Sequence, residues 1–378
     1  MVIERITQGV LAGPAQRRIR YVRPVRLTKA EGLVAQVYEQ MLRDFAFVPP
    51  LTVHSPVPEI LAGVWCVTRE SLVAGEVPRS HREAVASAVS SINACPFCVD
   101  IHTTMLAGAG EHATVGGLLS GDAAQVTDAK LRGLVDWARA TRSPGAEILR
   151  HPPFEPHEAP LLIGTALGFH YINRMVNVFM FDGSPLRMPR GLGWLKNSMR
   201  RVGGRLIARP MLARTVSPGA SLDLLLRAEP SADLAWTQAN PYVQGAWSRM
   251  ISATERAGRD VVSANVRALV AERLATWHGE DLGLSRSWVE EPLAALDEGA
   301  KPAGRLALLT ALASHQVDSQ VVESYQQTQP GDAALITTTA WSSLQATKRI
   351  ATWLVVSAAP QSTTHEAGRE PKSPEPRP

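Results

Sequence analysis

The sequence predicts an all-α protein. Apolar residues recur at helical spacing in long stretches of the chain, whereas alternating strand patterns bounded by turns are nearly absent. The composition, 45% hydrophobic and 20% charged over 378 residues, is that of a folded globular protein. A chain of this length can bury one large core or two ordinary ones.

The predicted helices begin at recognisable start signals. Thr28 and Glu31 form a capping-box pattern at the head of "TKAEGLVAQVYEQML", whose apolar residues share one helical face. Ser80 and Glu83 repeat the pattern at the head of "PRSHREAVASAVSSI". "TDAKLRGLVDWARA" and "APLLIGTALGFHYINRMVNVF" also have helical spacing.

Two sequence matches indicate that the second half repeats the first. "APLLIGTALGFHYINRMVNVF" from 159 aligns without gaps to "AALITTTAWSSLQATKRIATW" from 333, and "REAVASAV" at 82 resembles "VRALVAER" at 266. The second match predicts that residues 265–289 form a helix pair like 81–105. In that register the second half lacks the reactive groups of the first, since Glu83, Cys95, Cys98 and His102 fall on Arg267, Gly279, Leu282 and Arg286.

The predicted organisation therefore has five parts. They are an N-terminal arm (1–27), a first helical repeat (28–185), a basic linker helix (186–218), a degenerate second repeat (219–360) and a disordered tail (361–378). The tail contains four prolines and no large apolar residue, so it cannot bury enough surface to become ordered. The N-terminus resembles no export signal, and we expect a cytoplasmic protein.

The positive charge of the chain is concentrated in one segment. Residues 187–214 carry eight Lys and Arg and no Asp or Glu, which leaves 31 basic and 35 acidic residues elsewhere. A local excess argues against a general nucleic-acid-binding surface. Apolar residues from Leu192 to Leu206 recur three or four positions apart, which predicts an amphipathic helix within 190–208. It either packs as a linker on the body, the alternative we favour, or lies on a membrane surface.

The stretch "INACPFCVDIHT" contains two of the three cysteines. Pro96 fits the first turn of a helix, which makes Cys95 the N-cap and places Cys98 and His102 on one helical face. Cys95 and Cys98 are close enough for a disulfide across that turn. The free amide groups and the positive end of the helix dipole there favour a thiolate.

The spacing Glu83-x11-Cys95-x2-Cys98-x3-His102 resembles the signature of AhpD-like alkylhydroperoxidases in the carboxymuconolactone decarboxylase superfamily. The resemblance implies an AhpD-like helical fold, a homo-oligomer, no cofactor, and reduction of organic hydroperoxides by a lipoyl- or thioredoxin-like dithiol. It also implies that Cys98 is the peroxidatic cysteine, that Cys95 is the resolving cysteine, and that His102 and Glu83 relay the proton. Some members have histidine where this chain has Phe97, which would shorten the relay.

Two other functions remain open. The pair could serve a thiol–disulfide oxidoreductase with little peroxide turnover, or the protein could be a non-catalytic scaffold or a metal-binding module. Cys66 lies in an apolar run, and we interpret it as an inert core thiol. We expect the polar residues of the helix from 159 to take part in buried hydrogen bonding or a subunit contact. These are His170, Tyr171, Asn173 and Arg174.

Overall fold

The fold is all-α, as predicted. The computed structural model describes residues 16–180 and 193–354, which form 17 α-helices and no β-strand. The helices are α1 Gly32–Asp44, α2 Pro49–Thr52, α3 Pro58–Val67, α4 Arg79–Ile92, α5 Pro96–Ala109, α6 His112–Ser120, α7 Ala129–Ala140, α8 Glu147–Arg150, α9 Ala159–Phe179, α10 Gly193–Gly203, α11 Arg209–Leu212, α12 Pro241–Val261, α13 Ala264–Thr276, α14 Ser287–Leu293, α15 Lys301–Ala313, α16 Ser319–Thr328 and α17 Asp332–Leu354.

The core is built around α9, which is buried along almost its whole length. This helix packs against α4 in the first half and against α17 in the second, while α3 packs on α12 and α15 packs on α17. One continuous cluster of buried apolar side chains therefore joins the two halves.

A sharp turn separates α4 from α5 and lets them pack side by side. Ala94 has φ +49°, a left-handed conformation that alanine rarely adopts. The backbone N–H of Cys95 donates to Ser90 O at 3.0 Å, and Cys95 is the N-cap of α5 with Pro96 in its first turn, as predicted. The strained turn thus reverses the chain immediately before the cysteine pair.

Neither predicted capping box forms. Helix α1 begins after Glu31, and Thr28 lies in a short 3-10 turn instead. Helix α4 begins two residues earlier than expected, after Pro78, and no side chain caps it. Glu83 is not available as a capping partner because its carboxylate contacts a side chain of α5.

The basic segment packs on the cysteine-bearing helix. Helix α10 and the π-helical turn Gly204–Ala208 lie against α5. Arg200, which is buried, donates to the buried carboxylate of Asp100, and Lys196 Nζ lies 3.0 Å from the same oxygen. A Cβ on Gly204 would lie 2.8 Å from the backbone N of Gly108, so only glycine permits this close approach. The predicted helix is confirmed, and so is its packing on the body.

One of the two sequence matches between the halves is wrong. The stretch from 277 to 286, which that match places opposite the start of α5, contains no helix. We propose instead that α15 and α16 are the counterparts of α4 and α5, because both pairs pack beside the long helix of their half. In this register Asp318 is the N-cap in place of Cys95, and Val321 and Tyr325 stand where α5 has Cys98 and His102.

Several expectations concern parts of the chain that the structure leaves undescribed. The predicted tail lies outside the described residues, as does most of the predicted N-terminal arm. Within 16–180 and 193–354, no helix is long and apolar enough to span a membrane.

We predict that Arg200→Met destabilises the protein, by about 1.5 to 3 kcal/mol, because the buried Asp100 carboxylate loses one charged hydrogen-bond donor and keeps Lys196 as another. Thermal unfolding measures the loss, and Arg201→Met, at an exposed position on the same helix, is the matched control. Adding Asp100→Asn to Arg200→Met should recover part of the loss. Equal melting temperatures for Arg200→Met and Arg201→Met would contradict the packing of α10 on α5 through this ion pair.

Candidate active site

The structure brings together all four residues of the Glu-Cys-Cys-His signature. Cys95 Sγ lies 2.8 Å from Cys98 Sγ, and both are free thiols with almost no exposure. Glu83 Oε2 lies 2.5 Å from His102 Nδ1. The turn at Ala94 makes this contact possible, because it folds α4 back along α5.

The guanidinium of Arg79 binds the second carboxylate oxygen of Glu83. Arg79, one helical turn before Glu83, donates from Nε to Glu83 Oε1 at 2.7 Å. Burial would raise the pKa of Glu83, but the charges of Arg79 and His102 and their hydrogen bonds outweigh it and lower that pKa to about 2. Glu83 is therefore a carboxylate at neutral pH. It accepts the proton on Nδ1 of His102, so the other ring nitrogen of a neutral His102 is left as an acceptor.

The environment of Cys98 opposes ionisation of the resting thiol. Burial raises the pKa of Cys98 well above its usual value, and the neighbouring Cys95 raises it further. Hydrogen bonds from Asn173 and Ser90 act in the opposite direction. Burial thus outweighs the lowering of the Cys98 pKa that we expected from the helix N-terminus. A base must therefore remove the thiol proton before the sulfur can act as a nucleophile.

A buried hydrogen-bond network supports the turn before the cysteines. Asn173 donates to Ser90 Oγ at 3.1 Å and accepts from Asn93 at 3.1 Å, and Asn93 also contacts His170 Nδ1 at 3.1 Å. The other ring nitrogen of His170 lies 2.8 Å from Thr141 Oγ1. Burial lowers the pKa of His170 well below its usual value, so the ring is neutral. As expected, polar residues of α9 take part in buried hydrogen bonding.

Cys98 and His102 both line an apolar cavity of about 230 Å³. Its wall comes from the segment before α3, from α3 and the π-helical turn Thr68–Val73, from the start of α5 and from α9. Among its described lining residues, Cys98 and His102 are the only titratable ones. The cavity can therefore hold an uncharged molecule of small to moderate size beside Cys98.

Comparison with known proteins identifies the family. A sequence model of the carboxymuconolactone decarboxylase family matches residues 61–141, from α3 to the end of α7. A protein of Mycobacterium tuberculosis named alkyl hydroperoxide reductase is 35% identical over 344 residues, covering 91% of this chain and 97% of the relative. This chain is an AhpD-like member of the carboxymuconolactone decarboxylase superfamily. The sequence resemblance is confirmed.

Reasoning from the AhpD-like signature missed three neighbours of the site. Arg79 could have been found as the i−4 partner of an acidic residue on a predicted helix. Ser90 gave no signal, because serine is common on helix surfaces. Asn173 was noticed as a polar residue in an apolar helix, but its contact with a cysteine on another helix could not be inferred from spacing.

The third cysteine, Cys66, lies outside this site. Cys66 is buried, its thiol donates to Ser221 O at 3.1 Å, and burial raises its pKa to about 12, as expected of an inert core thiol. Within the described residues, no group of three or more His, Cys, Asp and Glu side chains is arranged to hold a metal ion.

The lowered pKa of Glu83 predicts a pH-dependent stability. Because the pKa is lower in the folded protein than its ordinary 4.5, the carboxylate stabilises the fold above about pH 4.5, and this contribution is lost as the pH falls towards 2. Glu83→Gln should therefore lower the melting temperature at pH 7, and the difference from wild type should shrink between about pH 5 and 2. Glu59→Gln, at an exposed carboxylate, is the control. A difference that stays constant with pH would contradict this assignment.

Proposed function

We propose that this protein is a dithiol-dependent peroxidase that reduces organic hydroperoxides through Cys98 and Cys95. The observation that carries the proposal is that Cys98, 2.8 Å from the resolving thiol of Cys95, and His102, held by Glu83, line the same apolar cavity. The mycobacterial relative's name, alkyl hydroperoxide reductase, supports the same chemistry.

In the first step, His102 removes the proton from the Cys98 thiol, and Glu83 stabilises the imidazolium that forms. The thiolate attacks the terminal oxygen of the hydroperoxide, the O–O bond breaks, and the alkoxide that leaves takes the proton from His102. The products are an alcohol and a sulfenic acid on Cys98.

In the second step, the Cys95 thiol attacks the sulfenic sulfur and releases water, which leaves a Cys95–Cys98 disulfide. The 2.8 Å separation of the two sulfurs in the reduced protein supports this step, since little movement is needed. An external dithiol, lipoyl- or thioredoxin-like, then reduces the disulfide, and the burial of both sulfurs favours the smaller lipoyl group over a thioredoxin-like protein. Phe97 offers no proton carrier, so in this proposal the relay consists of His102 and Glu83 alone.

Thiol–disulfide exchange with protein substrates is the second candidate function. The burial of both sulfurs argues against it as the main activity, because Cys95 and Cys98 are only 1% and 3% exposed. A protein disulfide must approach the attacking sulfur closely, whereas a small hydroperoxide can reach it through the cavity. The homo-oligomer and the cytoplasmic location stay predictions.

The proposal predicts a defined thiol count. One equivalent of cumene hydroperoxide should remove two of the three thiols of the reduced protein, and a dithiol reductant should restore them. Cys98→Ser should abolish rapid peroxide consumption, whereas Cys95→Ser should consume one equivalent and stop at a sulfenic acid on Cys98. Cys66→Ser is the matched control and should turn over normally.

Each alternative function gives a different result in this experiment. An unchanged thiol count after peroxide would support the scaffold, and release of zinc on oxidation would support the metal-binding module. Rapid reduction of protein disulfides with no consumption of hydroperoxide would support the oxidoreductase.

A further inference from the structure

We infer that the apolar cavity binds the carbon group of an uncharged hydroperoxide and that Gly168 determines how large this group can be. The inference rests on the proposed function and adds to it the substrate class and a residue that determines specificity. Gly168 lies on α9, outside residues 61–141, the part of the chain that the family model matches.

The absence of charged residues from the described cavity wall favours an uncharged substrate. No Asp, Glu, Lys or Arg is among the described residues that line the cavity. A carboxylate or phosphate placed there would lose its hydration without gaining a counter-charge, which costs several kcal/mol. A neutral alkyl or aryl group loses nothing of this kind and gains from the removal of its apolar surface from water.

The size of the cavity favours a substrate larger than hydrogen peroxide. An apolar cavity of about 150 Å³ in another protein holds a benzene molecule, and this cavity measures about 230 Å³. Phe45, Leu51 and Leu72 from one side and Phe169 and Ile172 from α9 contribute apolar surface to it. Hydrogen peroxide would leave most of this surface uncovered, whereas an aryl or branched alkyl group would cover it.

The two glycines of α9 that line the cavity differ in what surrounds them. A Cβ on Gly164 would lie 2.6 Å from Ser71 Oγ, so packing requires a glycine there. A Cβ on Gly168 would have Val67 Cγ1 as its nearest neighbour, at 3.6 Å, which is an ordinary contact. A methyl group at 168 can therefore be added without displacing the fold, and because Gly168 lines the cavity, a larger side chain takes up cavity volume. Gly168 keeps that volume open for the substrate.

The experiment compares Gly168→Leu with Gly168→Ala and wild type on three peroxides. Gly168→Leu should lower kcat/KM for cumene hydroperoxide by about tenfold or more, as expected when a pocket loses a few methylenes of space. It should lower kcat/KM for tert-butyl hydroperoxide less and leave that for hydrogen peroxide nearly unchanged. Gly116→Leu is the control, because Gly116 lies on α6, away from the cavity, with comparable clearance at 3.6 Å.

A binding measurement separates this inference from the proposed function, because it needs no turnover. The alcohol 2-phenyl-2-propanol should protect Cys98 of wild type and Gly116→Leu from iodoacetamide, and benzoate should not. The protection should be lost in Gly168→Leu. Protection by benzoate, protection that survives Gly168→Leu, or equal losses of activity on all three peroxides would overturn the inference. Protection as expected without turnover would instead refute the proposed peroxidase.

Discussion

The contact between the Glu83 carboxylate and the His102 ring links α4 to α5. If the two helices were one continuous helix, these residues would lie far apart. Nineteen residues separate Glu83 from His102, about 28 Å along one α-helix. The left-handed turn at Ala94 removes this separation by reversing the chain, and the network around Asn173 supports that turn. Everything proposed about the chemistry depends on this reversal, because it brings the Glu83 carboxylate to His102, on the helix that carries Cys98.

Charge balance explains how such a pair can be buried. The carboxylate of Glu83 is fully buried, and Arg79 and His102 each take one of its oxygens. Burial also keeps the resting Cys98 protonated, which protects a thiol that would otherwise react with any oxidant. In the proposed mechanism, Cys98 becomes nucleophilic only when His102 accepts its proton. The apolar cavity limits which molecules reach it, and α10, fixed to Asp100, covers another part of α5.

The sequence was sufficient to predict the fold class, the helix start at Pro96 and the closeness of Cys95 to Cys98 and of Glu83 to His102, because each depends on local geometry or on a fixed spacing. The catalytic roles of these four residues stay predictions. The capping box of Ser80 and Glu83 was wrong because the Glu83 carboxylate bonds to Arg79 and His102 instead of to a helix end. Asn173 and Gly168 lie at the site because α9 packs there, and residue spacing in the sequence does not predict that packing. The match of residues 266–289 to the first half was wrong because helical composition alone does not distinguish one apolar helix from another.

The most direct test of the proposed proton transfer is the rate of Cys98 alkylation between pH 5 and 10, followed by mass spectrometry in wild type and His102→Ala. The mechanism predicts that Cys98 is labelled before Cys95. It also predicts that His102→Ala slows labelling of Cys98 at neutral pH and that this loss is partly recovered at high pH, where hydroxide replaces the base. Identical profiles for wild type and His102→Ala, or labelling of Cys95 first, would contradict it.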